Sequence, residues 1–141
     1  LVYRADYRDG GVLVDELIPA LAEAKCCAAG SWDAELIEEI VPLASEFVID
    51  KNRYSGFYGT PLQSILTSLD IRALVICGVT TNVCVETTAR AASQRDYRPF
   101  IVRDATGEIA PERHEWALAT LDPRFGRVVD TSEILAVWAG P

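Results

Sequence analysis

Cys84 stands in GVTTNVCVE (78–86), directly after the apolar run ALVIC (73–77) and ahead of TTARAASQRD (87–96). A cysteine where a strand gives way to a helix is either a packed thiol or a nucleophile. The first turn of a helix favours a thiolate, and a neighbouring cation favours it further. Lys51, at the end of the preceding strand, is the obvious cation. Backbone N–H groups of the turn and of the first helical residues are suited to hold a developing oxyanion. Thiolate, cation and oxyanion donors are the three parts that acyl transfer by a cysteine needs. The plainer alternative is that free cysteines mostly pack, and Cys26, Cys27 and Cys77 are read that way. Lys51 alone is more often a solvated surface lysine. Tyr54, Phe57 and Tyr58 are either a pocket wall or loop packing.

These residues need elements to position them. EFVID (46–50) is a short strand, and TPLQSILTSLD (60–70) a helix with Thr60 as N-cap, Pro61 at its first position and Gln63 placed for a capping box. ALVICG (73–78) is almost wholly apolar, the pattern of a parallel strand covered on both faces. Residues 82–95 read as a helix, RPFIVRD (98–104) as a strand, PERHEWALATLD (111–122) as a helix and GRVVD (126–130) as a short strand. TSEILAVWAG (131–140) is a closing helix capped by Thr131 or Ser132. The region 12–45 is less regular, with helical pieces around DELIPALAEA and SWDAELIEEI. Strand–helix alternation with short links predicts an α/β fold, a three-layer α-β-α arrangement around a mostly parallel sheet with right-handed crossovers. Sites in such sheets form at the carboxyl ends of the strands. Three segments arrive there: DKNRYSGFYG (50–59), GVTTNVC (78–84) and RDATGEIAP (103–111).

Composition excludes several classes. The chain has 141 residues, half hydrophobic and about a quarter charged, one domain's worth of ordinary globular sequence. A net charge of -8 without a basic stripe argues against nucleic acid and anionic membranes as partners. No apolar run approaches a membrane span. Four cysteines at these positions match neither a disulfide framework nor a zinc site, so a cytoplasmic location is expected. The only histidine, His114, lies in an amphipathic helical stretch and is expected at the surface or an edge. One histidine cannot supply a Cys/His or paired-His metal site, and no metal or cofactor is expected.

GVTTNVCVETTARAA, preceded by DKNRYSGFYGTPLQSIL and followed by a strand ending in RDAT, resembles the isochorismatase-like cysteine hydrolases over nearly the whole chain. RYSGFYGTPLQSIL is most similar to the ureidoacrylate and N-carbamoyl amidohydrolase branch, and GSWDAELIEEIVP (30–42) to the segment that precedes the lysine strand. The resemblance implies a six-stranded, mostly parallel sheet flanked by helices and an Asp–Lys–Cys triad. Cys84 then matches the nucleophile and Lys51 the triad lysine. The Val79–Thr80 bond matches a cis peptide that turns the Thr80 N–H toward the substrate, beside the Cys84 N–H, as the oxyanion hole. Arg53, Tyr54 and Phe57 match positions near the substrate pocket, and Trp32 falls in a motif region or packs. The implied activity is hydrolysis of a small-molecule amide or carbamoyl C–N bond through a thioester, in a homo-oligomer such as a dimer or tetramer.

One departure stands out. The triad aspartate belongs to a first-strand pattern like D-x-Q-x-x-F, and no such pattern occurs here. Asp6 and Asp9 follow the strand after it. The chain begins at Leu1 in what reads as that second strand and contains no methionine, so the first strand and first helix are expected to be missing from a single, N-terminally truncated domain. The chain alone is then expected to be inactive. Zinc-dependent nicotinamidases in the same family need an Asp and two His close in sequence, which this chain does not supply. Two rivals remain: a non-catalytic relative that keeps the fold as a binding or assembly module, and an isochorismatase-type ether hydrolase, which uses no cysteine nucleophile.

Overall fold

The computed structural model of the chain describes residues 2–5, 19–24, 26–28 and 30–140. They fall into two compact units, Leu1–Leu62 and Gln63–Pro141.

In the first unit, β1 (Val2–Ala5) pairs in parallel with β2 (Val48–Lys51), with Ala5 opposite Lys51. Helix α1 is short (Pro19–Glu23) and opens on a proline, whose missing N–H costs nothing in a first turn. SWDAELIEEI was expected to be helical but yields only two 3₁₀ turns, Trp32–Ala34 and Glu38–Ile40. Local side-chain bonds explain part of this. The Ser31 hydroxyl donates to the Ala28 carbonyl, and the Asp33 carboxylate accepts from the Cys27 N–H. Such bonds compete with the helical ladder. Residues 15–18 of the other helical piece lie outside the described residues.

Helix α2 (Leu62–Ser68) starts where Thr60 Oγ1 accepts from the Leu62 N–H. Gln63 forms no capping box there; its side-chain oxygen accepts from Arg95 Nε at 3.0 Å.

The second unit carries a three-stranded parallel sheet in the order β3 (Ala73–Val79), β4 (Arg98–Gly107), β5 (Arg127–Val129). The intervening helices are α3 (Glu86–Ser93), α4 (Pro111–Leu121) and, after β5, α5 (Thr131–Ala139). The fold is α/β, a parallel sheet with helices, as the strand–helix alternation predicts. Val85, Ala89, Ile101, Leu118 and Leu121 form the buried core, with Ile76, Phe125 and Val128 packed against it. Ala89 and Ala92 are fully buried, so α3 approaches its neighbours on small side chains. Gly126 lets β5 close up on β4: a Cβ there would sit 2.5 Å from the Pro99 carbonyl oxygen.

Three expectations about this unit change. Strand β3 is not covered on both faces: Leu74 and Ile76 are half-buried, while Val75 is 41 % exposed and Cys77 is exposed. The helical core of this unit packs on the Ile76 face, so Cys77 is not a packed thiol. Strand β4 continues past Asp104 to Gly107, with a register shift opposite β3 between Ile76 and Gly78. Helix α5 is capped by neither Thr131 nor Ser132 but by Asp130, in a reciprocal capping box with Glu133. Thr131 instead donates its N–H (2.8 Å) and hydroxyl (2.9 Å) to Asp104 Oδ1. Those two bonds, the N–H first, hold the Asp104 carboxyl below the usual carboxylate range.

Candidate active site

In the second unit the site elements begin at the carboxyl end of β3. Gly78 has φ of +112°, a backbone conformation open to glycine and strained for other residues. The next peptide, Val79–Thr80, is cis. Thr80 is extended, and residues Thr81–Val85 then form a π-helical turn before α3. The Val85 N–H reaches back to the Thr80 carbonyl at 3.2 Å, one residue further than an α-helix allows. Cys84 sits half-buried in this turn. The expected plain first turn of an α-helix is therefore a wider one.

Two side chains pin the turn. Val85 is buried in the core beside Ala89 and Leu118. Thr81 is fully buried, and its hydroxyl bonds His114 Nδ1 of α4 at 2.9 Å. His114 is half-buried, at an edge rather than fully at the surface. Sequence reasoning missed this pair, because 33 residues separate its members. The one usable signal was that His114 is the only histidine in the chain. Two buried oxygens, Asn82 Oδ1 in the turn and Glu108 Oε2 just past β4, have no hydrogen-bond partner among the described residues. β4 ends opposite the site elements, with Gly107 paired to Val79.

In the first unit Lys51 is the last residue of β2 and is 9 % exposed, not a solvated surface lysine. Its ammonium donates to the Arg53 carbonyl at 3.2 Å. Arg53 is half-buried and donates from Nη1 to the Asn52 carbonyl at 2.6 Å. Tyr54 is half-buried, Phe57 is buried and Tyr58 is exposed. The segment is tied by its own polar groups: the Phe57 N–H donates to Ser55 Oγ, and the Thr60 hydroxyl to the Gly56 carbonyl. Trp32 is 88 % exposed, so it packs in no core.

The remaining thiols of this unit, Cys26 and Cys27, are half-buried with their sulfurs 3.9 Å apart. Burial, then the hydrogen bond to Cys26, pushes the Cys27 thiol up to about 11 from its ordinary 9.0. The charge of Lys51 acts on it in the opposite direction. A thiol in that range has about one part in ten thousand of thiolate at neutral pH, which makes Cys27 a poor nucleophile.

The model of the isochorismatase domain matches residues 14–133, most of the chain. The chain belongs to the isochorismatase family. Solved structures agree. A cysteine hydrolase from Pseudomonas syringae pv. phaseolicola superposes with a TM-score of 0.87 at 30 % identity, over 95 % of this chain and 68 % of its own. An isochorismatase-like hydrolase from Alkaliphilus metalliredigens gives 0.84 at 28 % identity, over 96 % and 71 %. An N-carbamoylsarcosine amidase from Thermoplasma acidophilum gives 0.73 at 29 %, over 91 % and 69 %. Isochorismatase-family members of this kind are hydrolases, amidases among them. No helix of the described residues is long and apolar enough to cross a membrane.

Proposed function

We propose that this isochorismatase-family chain is a cysteine hydrolase acting on a C–N bond of a small amide or carbamoyl compound, in the manner of the ureidoacrylate and N-carbamoyl branch. The observation that carries the reading is Cys84 in the turn that follows β3 and the Val79–Thr80 peptide. The similarity to an N-carbamoylsarcosine amidase supports the bond type. Arg53, Tyr54 and Phe57 are assigned to the substrate pocket from the motif they share with the family. Lys51 is assigned from its place in the same motif, and its burial at a strand end favours a functional lysine over a solvated one.

The chemistry runs in two stages. Cys84 gives up its proton to a base, with the thiolate supported by the lysine charge. Its sulfur attacks the carbonyl carbon, and the oxyanion is held by the Thr80 and Cys84 N–H groups. The C–N bond breaks, ammonia or an amine leaves carrying a proton, and a thioester remains. Water hydrolyses the thioester and restores the thiol. No residue of the chain matches the family aspartate, and general-base help is worth about 10²–10⁴-fold. Turnover by this chain alone is therefore expected to be very low. We also read the protein as a cytoplasmic homo-oligomer with neither metal nor cofactor in the reaction; the exposed Trp116 and Trp138 favour an oligomer.

The test is single turnover with enzyme in excess over an N-carbamoyl amino acid, quenched in acid and read by peptide mass mapping. A carbamoyl or acyl adduct on Cys84, lost in Cys84→Ala, is expected. An adduct on another residue, or the same product formation in Cys84→Ala, would refute the reading.

A further inference from the structure

Cys26 and Cys27 are neighbours in sequence, and neighbouring side chains usually point apart. Here Cys27 has φ of 54°, in the left-handed region, and the two sulfurs come to 3.9 Å. A tetrahedral ion with metal–sulfur bonds of about 2.3 Å holds its sulfurs about 3.8 Å apart. The pair already has the bite of a chelate. The third group is Asp33. A carboxylate oxygen of Asp33 and the two sulfurs all lie within 4.8 Å of one another. Metal–oxygen bonds of about 2.1 Å in the same geometry need sulfur–oxygen separations near 3.6 Å, so closure requires a shift of roughly 1 Å.

The carboxylate is oriented before any ion arrives. One oxygen accepts from the Cys27 N–H at 2.7 Å, and the other shares the single Ser31 hydroxyl proton with the Ala28 carbonyl. Each oxygen keeps a lone pair after one such bond. Bonds of this kind fix a ligand as outer partners do in metal sites. Two thiolates and a carboxylate around a dication leave one net negative charge. Lys51, in the same unit, acts on Cys27 in the direction that favours the thiolate. Sulfur ligands select soft or borderline ions over magnesium or calcium.

We propose that Cys26, Cys27 and Asp33 form a binding site for a thiophilic divalent cation of the zinc class, with the fourth position open to water. Binding releases the two thiol protons and forms two metal–sulfur bonds and one metal–oxygen bond, with no change of oxidation state. The linear spacing hides the site, because Asp33 joins the cysteines through a turn rather than a C-x-x-C pattern.

The test titrates the whole chain, kept reduced, with cadmium as the spectroscopic stand-in for zinc. A thiolate-to-cadmium absorption band that saturates at one equivalent is expected. It should be lost in Cys26→Ser and in Cys27→Ser and kept in Cys77→Ser. Asp33→Asn should weaken binding at least about tenfold. In the unsubstituted protein, one equivalent of cadmium should slow iodoacetamide labelling of Cys26 at least about tenfold while leaving Cys77 unchanged. This second measurement needs no variant to fold. Absence of the band, its survival at full strength in either Cys26→Ser or Cys27→Ser, or unchanged labelling of Cys26 would overturn the proposal. None of these readouts depends on hydrolysis, so failure here and failure of the proposed function are separate results.

Discussion

Replacing Thr81 by valine keeps the shape of a fully buried side chain and deletes the hydroxyl that bonds His114. His114 Nδ1 is then left half-buried without that partner. Stranding a buried polar group costs about 1–3 kcal/mol, and partial access to water places this case near the lower half of that range. With a urea slope of about 2 kcal/mol/M, a loss of about 1.5 kcal/mol moves the unfolding midpoint down by roughly 0.7 M. The reverse change, His114→Leu, strands the Thr81 hydroxyl in a fully buried place and is expected to cost more, about 2–3 kcal/mol. Removing both partners leaves no stranded group. The double variant should therefore be more stable than the sum of the single changes predicts, by about 1 kcal/mol. Urea unfolding followed by fluorescence of the three tryptophans reads all four proteins. Simple additivity, within about 0.3 kcal/mol, would show that this bond does not brace the turn carrying Cys84.

Three further outcomes are expected. Lys51→Ala should lower formation of the Cys84 adduct on the order of 10²-fold in single-turnover assays while leaving the circular dichroism spectrum unchanged; an unaltered rate would return Lys51 to an ordinary buried lysine. The depressed Asp104 carboxyl contributes stability that is present above its unfolded value and lost as pH falls through its folded one, so acid titration of stability below about pH 4 should flatten in Asp104→Asn, and an unchanged acid limb would contradict the role given to Thr131. Cys27 has the opposite sign: its raised value means stability is kept below pH 9 and lost as pH rises through about 11, so Cys27→Ser should remove an alkaline slope seen by pH-dependent urea unfolding.

Much of the second unit is legible because each of its strands begins as an apolar, β-branched run flanked by glycine, proline or charge. ALVIC, RPFIV and GRVVD mark β3, β4 and β5 to within a few residues of their observed limits. Which face of a strand is covered is not legible, because an apolar run looks the same whether one face or two is packed; Val75 and Cys77 show this. The cap of α5 is ambiguous for a different reason. Asp130, Thr131 and Ser132 are all capable caps in succession, and the choice follows from Asp104 taking Thr131, a contact 27 residues away in sequence. The helical reading of 31–40 fails because Ser31 and Asp33 bond backbone and neighbours locally. At the site, the residue types are legible and their setting is not. Two slipped hydrogen bonds, from the Val85 and Glu86 N–H groups to the Thr80 and Thr81 carbonyls, make the Cys84 turn π-helical and leave no mark in composition.

Competitive labelling of the four thiols asks whether Cys84 is the nucleophile and needs neither the true substrate nor a working base. The protein is treated at neutral pH with iodoacetamide below one equivalent, and the alkylated peptides are counted by mass spectrometry. Exposure alone favours Cys77, the only exposed thiol of the four, whereas a nucleophilic role favours the half-buried Cys84. Cys84 is expected to carry most of the label, Cys27 almost none because its thiol is pushed up to about 11, and prior incubation with a carbamoyl compound is expected to protect Cys84. Label concentrated on Cys77, Cys26 or Cys27 with Cys84 inert would contradict that role.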